Sequence, residues 1–457
     1  MTATVRGTAA SACGPAASAP GTAASAPGTA ESARRPDYAA LIQPDRVHGS
    51  LYTDPQIFAE ELQRIWYRTW VYIGHASEVP EPGDYVRKSV GPQDIIMTRD
   101  RDGEIHLLLN RCAHRANLVC EDARGNSSSF RCPYHGWTYR NTGELIGYPY
   151  RQGYGSGKLE LGLGRLPRVD SHRGFVFGSF ASHGPTLAEH LGEAAGELDR
   201  LARLSPDGQV ELTAGWLRHR TRANWKLLAE NETDGYHPQF VHGSIFSVTG
   251  SPIGALYSDK STAVTRDLGG GHSENDLRPE FRKLGEPMRW FGTTPERVPG
   301  YLARMREVHG EAAEQILVEG APHVMIFPNL FIAEIQVFVI QPLSVGECIQ
   351  HSTAVQLAGA PELNQRMVSQ SVGSVGPAGM LLADDTEMYE RNQRGLAMLQ
   401  PEWLDLRRGL HRESIDERGL KIGTATDETG MRGFWSHYAE LMEAEQMEAE
   451  LPEAGKC

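Results

Sequence analysis

The apolar positions divide this chain into stretches of different period. Residues 1–36 show no period at all: Ala, Ser, Gly and Pro dominate, and the segment Ala17–Thr22 recurs as Ala24–Thr29. Such a composition offers too little apolar area to offset chain entropy, so a disordered tail is expected. Within residues 37–69, Ile57, Phe58, Leu62, Ile65 and Trp66 recur at helical spacing. Thr53 or Asp54 can cap that helix, and Pro55 suits its first turn. From residue 70 to 182 the runs shorten to strand length: Val71–Ile73, Tyr85–Val86, Ile95–Met97, Ile105–Leu109 and Phe175–Phe177. Asp102-Gly103 and Asn141-Thr-Gly143 read as turns between them.

Residues 183–457 mix both periods. Leu187–Leu204 and Ala378–Met398 read as helices, Gln350–Leu357 as a strand, and Val324–Leu343 as two buried strands around a Pro328-Asn329 turn. Phe434–Leu451 reads as an acidic amphipathic helix that buries Leu441, Met442 and Met447. The expected fold class is α+β: a small all-β domain at 70–182, then a mixed domain at 183–457 with an antiparallel sheet and helices.

Length and charge narrow the function classes. With 457 residues, two packed units plus a tail are expected. A net charge of −13 and a pI near 5.7 argue against nucleic acid or an anionic membrane as a general partner. The apolar run Val324–Leu343 is broken by Pro328, Asn329, Glu334, Gln336, Gln341 and Pro342, which excludes a membrane span there. Residues 1–35 lack the apolar core of a secretory signal. Six irregularly spaced cysteines suit a reducing, cytoplasmic setting with metal-bound thiolates better than a disulfide framework.

Two constellations carry chemistry. The first is Cys112-Ala-His114 followed by Cys132-Pro-Tyr-His135. Each clamp offers one thiolate and one imidazole, the inventory of a [2Fe–2S] cluster in which two His replace two Cys on one iron. Zinc is the alternative, but zinc fingers pair Cys with Cys and His with His. Cys120 belongs to neither clamp and reads as a buried small side chain. The second constellation runs from Asn224 to His242 and contains Asp234, His237 and His242. Two His and a carboxylate on one face of a ferrous ion leave positions open for oxygen and substrate. Asp234 and His237, three apart, would share a face of a regular helix. His237 and His242, five apart, would not, so a π bulge or a break near Pro238 is predicted. Leu268-Gly-Gly-Gly271-His272 lacks the context of a dinucleotide-binding turn and reads as a loop.

Asn110–Arg115 and Cys132–Trp137 resemble the Rieske domain of aromatic-ring-hydroxylating oxygenases. The Asn224-Trp-Lys start, Glu230-Asn231, Asp234, Tyr236-His237 and His242 resemble that family's iron-site segment, and Gly376–Asp385 the segment giving its third ligand. The resemblance spans roughly Leu51 to Leu441 and looks nearer the benzoate-type branch. It implies a [2Fe–2S] cluster on Cys112, His114, Cys132 and His135, and Fe(II) on His237, His242 and Asp385. Asp384, Glu387 and Glu390 compete for the last place. It further implies that Asp234 bridges His237 to His135 across a subunit boundary and that the polar Asn231 lies beside the iron. O2 would be co-substrate. Electrons would come from a ferredoxin and/or reductase, with NAD(P)H acting only through them. A head-to-tail trimer of α subunits is implied, an assembly that in this family often includes a small β subunit. The activity so implied is cis-dihydroxylation of an aromatic ring, with an aromatic carboxylate as substrate. A carboxylate needs a cationic anchor. Arg266, Arg289 and Arg304 lie in the right region, and the sequence singles out none. The rivals are a monooxygenase or demethylase with the same metals, and a Rieske protein that only carries electrons.

Overall fold

In the computed structural model, residues 36–157, 159–249, 253–376 and 379–444 are described; the tail up to residue 35, and with it the expected disorder, lies outside them. The first long helix is Pro55–Glu61. Asp54 caps it, Oδ1 accepting from Gln56 N at 2.8 Å, and Pro55 occupies its first turn. It then widens into a π turn, Leu62–Trp66, which buries Ile65 and Trp66. Trp66 meets Trp225 edge-to-face, with ring centroids 5.2 Å apart.

The short-strand region forms three small antiparallel sheets. One joins Arg168–His172, Phe175–Ser179 and Val71–His75; a second joins Ile105–Leu109, Gln93–Arg99, Asp84–Val90 and Arg124–Asn126. The third, Leu145–Gly147, Thr138–Arg140 and Ser129–Arg131, carries the second Cys/His loop. The predicted turns at Asp102-Gly103 and Asn141–Gly143 are both present, with Gly103 and Gly143 at positive φ. A small core of Tyr85, Ile96, Leu108, Phe130, Trp137 and Tyr139 closes around Cys112 and Cys132.

The second region is built on one antiparallel sheet, nine-stranded among the described residues. Its order is Leu217–Thr221, Glu347–Ala354, Gln336–Ser344, Leu330–Ala333, His323–Ile326, His272–Asp276, Val264–Gly269, Lys421–Thr424 and Ser414–Ile415. Helices Pro361–Val375, Met380–Leu396 and Thr429–Glu443 accompany it. From Asp37 onward the described chain is one unit. Asn329 fastens its parts: Oδ1 accepts from Tyr72 N (3.0 Å) and Nδ2 donates to Tyr72 O (2.9 Å), imitating a strand partner.

Several elements differ from the sequence reading. Val324–Leu343 folds into three strands, because a second turn at Glu334-Ile335, with Glu334 at φ +49°, follows the Pro-Asn turn. Leu187–Leu204 is two helices, Leu187–Leu191 and Ala194–Arg203, divided at Gly192, whose φ of +46° no helix accommodates. The last helix starts earlier, at Thr429, and ends at Glu443; it buries Met442, while Met447 and Leu451 lie outside the described residues. The Gly-rich run is the turn of the hairpin Val264–Gly269/His272–Asp276. Among the described residues, no helix is long and apolar enough to cross a membrane.

Candidate metal centres and their cavity

The two Cys/His loops share one construction. Cys112 O accepts from Ala116 N and Cys132 O from Gly136 N, both at 3.0 Å. Cys112 N donates to Asn117 O (2.8 Å) and Cys132 N to Trp137 O (2.7 Å). Each loop turns back through a left-handed residue, Ala116 at φ +59° and Gly136 at φ +70°. The cysteines are thereby held inside, His114 half-buried and His135 exposed. The His114 and His135 rings lie 4.5 Å apart, and His114 stacks flat on Trp137 at 4.9 Å. Tyr139 OH lies 3.1 Å from Cys112 Sγ, and Asn117 Nδ2 points at Cys132 Sγ from 3.9 Å. Burial pushes the Cys132 thiol up, but the N–H groups of Tyr134 and His135, with Cys112 and Asn117, outweigh it and hold its pKa low. Thiolates inside and imidazoles outside suit a two-iron cluster whose histidine iron faces outward. Cys120 is buried in the same core, its Sγ directed at Asp122 O.

The second site hangs from helix Trp225–Asn231, and the Asn-Trp-Lys start explains its fixity. Asn224 caps the helix: Oδ1 accepts from Lys226 N (3.0 Å), and Nδ2 donates to Val345 O (2.7 Å) and Tyr52 O (3.2 Å). Lys226 Nζ reaches Glu61 Oε1 at 2.5 Å, both side chains fully buried. Glu61 also accepts from Trp225 Nε1 (2.8 Å) and Tyr438 OH (2.7 Å), so both of its oxygens are partnered, and the Lys226 ammonium lies over the Tyr52, Trp225 and Tyr438 rings.

The helix stops at Asn231 and resumes only at Pro238–Val241. The predicted irregularity is thus a break between the two, and the π turn of this chain lies elsewhere, at Leu62–Trp66. Asp234 and His237 therefore do not share a regular helical face. Asp234 Oδ1 instead folds the break, accepting from Tyr236 N (2.6 Å) and His237 N (3.4 Å), while Oδ2 faces His237 Nδ1 at 3.5 Å. Gly235 is required by space: a Cβ there would stand 1.9 Å from Ala425 O.

The break turns both imidazoles toward helix Met380–Leu396. Asp385 Oδ1 lies 3.6 Å from His237 Nε2 and 3.1 Å from His242 Nε2. Among the described residues, these three are the one set of three or more metal-capable side chains whose ligand atoms lie within 4.8 Å of one another. Asp384 has a part as well: half-exposed, its Oδ2 faces His242 Nδ1 at 3.7 Å. Glu387 pairs with Arg391 on the surface, and Glu390 accepts from Arg222 N. Asn231 closes the helix beside the cavity and touches the buried Tyr389.

This arrangement fits a cation. Asp385 Oδ1 is buried with no aligned hydrogen-bond donor, a costly state for a carboxylate without a positive partner. Burial alone would lower the His242 pKa, but the Asp385 and then Asp384 carboxylates outweigh it and raise it, so the site favours positive charge. Both ligating sulfur and free thiols are absent from the trio, and its nitrogen and oxygen donors suit ferrous iron.

Above the trio opens a cavity of about 430 Å³ walled by Phe246, Phe281, Trp290, Phe331, Phe338 and Leu381. Sequence reasoning missed several groups in its wall. Glu232 is buried, accepts from Gln350 Nε2 at 2.6 Å, and is held well above the usual carboxyl range by burial and then by the charge of Asp385. His323 Nε2 donates to Glu232 O at 2.9 Å, and its Nδ1 lies 3.1 Å from Glu334 Oε1. These residues converge only through the sheet, and no local spacing announces them.

Residues 69–161 match the family model of the Rieske [2Fe-2S] domain, and residues 201–444 that of the ring hydroxylating alpha subunit (catalytic domain). The chain belongs to the ring-hydroxylating oxygenase α-subunit family. The oxygenase is 30% identical over 380 residues to the anthranilate 1,2-dioxygenase large subunit of Acinetobacter baylyi, covering 80% of each chain. It is 41% identical over 294 residues to the N,N-dimethyl phenylurea N-demethylase subunit alpha of a Sphingobium sp., covering 61% of each. Naphthalene 1,2-dioxygenase from a Rhodococcus sp., solved with indole bound, superimposes with a TM-score of 0.77 at 27% identity, over 88% of this chain and 95% of that one. The oxygenase therefore works with a Rieske [2Fe–2S] cluster and a mononuclear iron, and O2 as co-substrate. Its α+β fold is the one expected.

Proposed function

We propose that this chain is the large subunit of a cytoplasmic dioxygenase that cis-dihydroxylates the ring of an aromatic carboxylate. Cys112, His114, Cys132 and His135 hold the cluster, and His237, His242 and Asp385 hold the ferrous ion. The observation that carries the reading is the convergence of both imidazole Nε2 atoms on Asp385 Oδ1 beneath an apolar cavity. The same reading divides the chain near residue 182, between the two matched regions.

When bound, the iron supplies O2 activation with electrons relayed through the cluster. The chain's own residues do the rest. Asp234 and Asp384 face the Nδ1 atoms of His237 and His242, which favours a proton there and leaves each Nε2 free for the metal. Asn231 offers a polar side chain beside the cavity. The apolar wall excludes water and orients the ring.

Electrons arrive from a separate ferredoxin and/or reductase, themselves reduced by NAD(P)H. We place His135 of one subunit against Asp234 of the next in a head-to-tail trimer, with a small β subunit as a further partner. Exposed apolar side chains on both faces support this: Tyr134 and Tyr150 beside the cluster loops, and Phe240 and Val248 beyond the iron site. Turnover under labelled O2 tests the reaction; two labelled atoms in one cis-diol are expected.

The demethylase relative supports a second reading, in which a neutral N-methyl group is oxidised at the same metals. That reaction would place one labelled atom in the released formaldehyde, the other in water, and none in the demethylated product.

A further inference from the structure

The cavity has one feature that neither metal centre uses. Of the three arginines in the region, Arg266 is consumed by Glu274, Asp276 and Asp416 within the sheet. Arg304 pairs with Asp207 (3.1 Å) and Glu307 (2.9 Å), away from the cavity. Arg289 lines the cavity and is the sole Lys or Arg to do so among the described residues.

We infer that Arg289 receives the substrate carboxylate and sets the enzyme's preference for an acid over its neutral isostere. This rests on the aromatic-carboxylate reading above. The guanidinium is available: its acidic neighbour is Glu286 at 3.8 Å, a loose pair with a well-exposed carboxylate, and no hydrogen bond ties its side chain among the described residues. The acids of the cavity wall are otherwise engaged, Glu232 by Gln350, Glu280 by Thr262 and Glu334 by His323. Among the described wall residues, an incoming carboxylate thus meets one arginine that is only loosely paired.

Position follows from a second opening. An outer cleft of about 730 Å³ also includes Arg289, but none of His237, His242 or Asp385. Arg289 therefore stands where the metal-site cavity and the outer cleft share a wall, a place from which it can hold the acid group while the ring lies inward. Its backbone is fixed. Met288 N (2.8 Å) and Trp290 Nε1 (2.9 Å) both donate to Leu317 O, and Trp290 lies over Gly320, where a Cβ would stand 2.1 Å from the indole. An anchor held on both sides loses little freedom when it engages a two-oxygen acceptor.

The test compares wild-type, Arg289→Gln and Arg289→Lys oxygenase, each with a reductase system, on substituted benzoates and their matching carboxamides. Cluster EPR and bound iron should equal wild type in all three. The kcat/KM ratio of acid to amide should fall about 10- to 100-fold in Arg289→Gln, mainly through KM, the worth of one charge-assisted hydrogen-bonded contact. Arg289→Lys, keeping charge but not the fork, should lie between. An unchanged ratio with benzoates still oxidised overturns the anchor and leaves the carboxylate reading standing. Equal loss on acid and amide together with lost iron assigns Arg289 a structural role and also overturns it. Wild-type enzyme that oxidises amides and no benzoate overturns both.

Discussion

Gly235→Ala should empty the iron site while leaving the cluster intact. The new Cβ would lie 1.9 Å from Ala425 O, 2.9 Å from Ala425 C and 3.2 Å from Tyr257 Cδ1. Ala425 cannot give way easily: it is fully buried, and its N–H donates to Ala263 O at 3.1 Å. To reach even 3.0 Å, the residue-235 segment must retreat by about 1.1 Å. His237 is two residues on, and Asp234 one residue back, so both imidazole placement and its orienting carboxylate move. A displacement of that size costs on the order of 100-fold in turnover when it separates reacting groups. The overpacking itself costs about 1–3 kcal/mol of stability. Product formation, iron content and the cluster EPR signal should be measured on the same preparation, with Gly196→Ala as a control, since that Cβ would meet nothing within 4 Å. Loss of mononuclear iron and turnover with a normal cluster signal is expected. A Gly235→Ala enzyme with wild-type iron and turnover would refute the claim that this close approach sets the site.

Lys226→Met should cost about 3–5 kcal/mol in denaturant unfolding, because it strands the Glu61 carboxylate in a fully buried position; Glu61→Gln/Lys226→Met should recover part of that loss. Asp384→Asn should retain iron and lower turnover less than Asp385→Asn, which should lose the metal, as read by iron content. Burial pushes the His272 imidazole down to about 4 from 6.5, so its contribution to stability is complete above pH 6.5 and is lost as pH falls toward 4. Relative to His272→Gln, wild type should lose up to about 3 kcal/mol across that window in acid unfolding curves.

The cluster loops were legible because each closes on itself. Cys112 to Asn117 and Cys132 to Trp137 are both shaped by backbone hydrogen bonds of their own, so the motif carries its structure with it. His237 and His242 were legible by residue type, and the break before Pro238 by their spacing, but Asp234 and His237 do not share the regular helical face expected of them. The five-residue interval required an irregularity, and Asp234 supplied it as a cap of the break rather than as a residue on a continuous face. Asp385 was legible only by resemblance, since nothing local distinguishes it from Asp384; the turn of helix Met380–Leu396 decides which carboxylate faces both Nε2 atoms. Glu232 and His323 escaped because elements distant in sequence bring them to the cavity wall, and for the same reason nothing local set Arg289 apart from Arg266 and Arg304. The extra strand within Val324–Leu343 escaped because Glu334-Ile335 carries no turn residue to mark it.

The central claim is that two separate residue sets hold two separate metals. Asp385→Ala tests it most directly, by iron analysis and EPR on one purified sample. The account predicts loss of the mononuclear iron and of all oxygenation, with the Rieske signal at full intensity. Full iron content with turnover intact, or loss of the Rieske signal along with the iron, would contradict it.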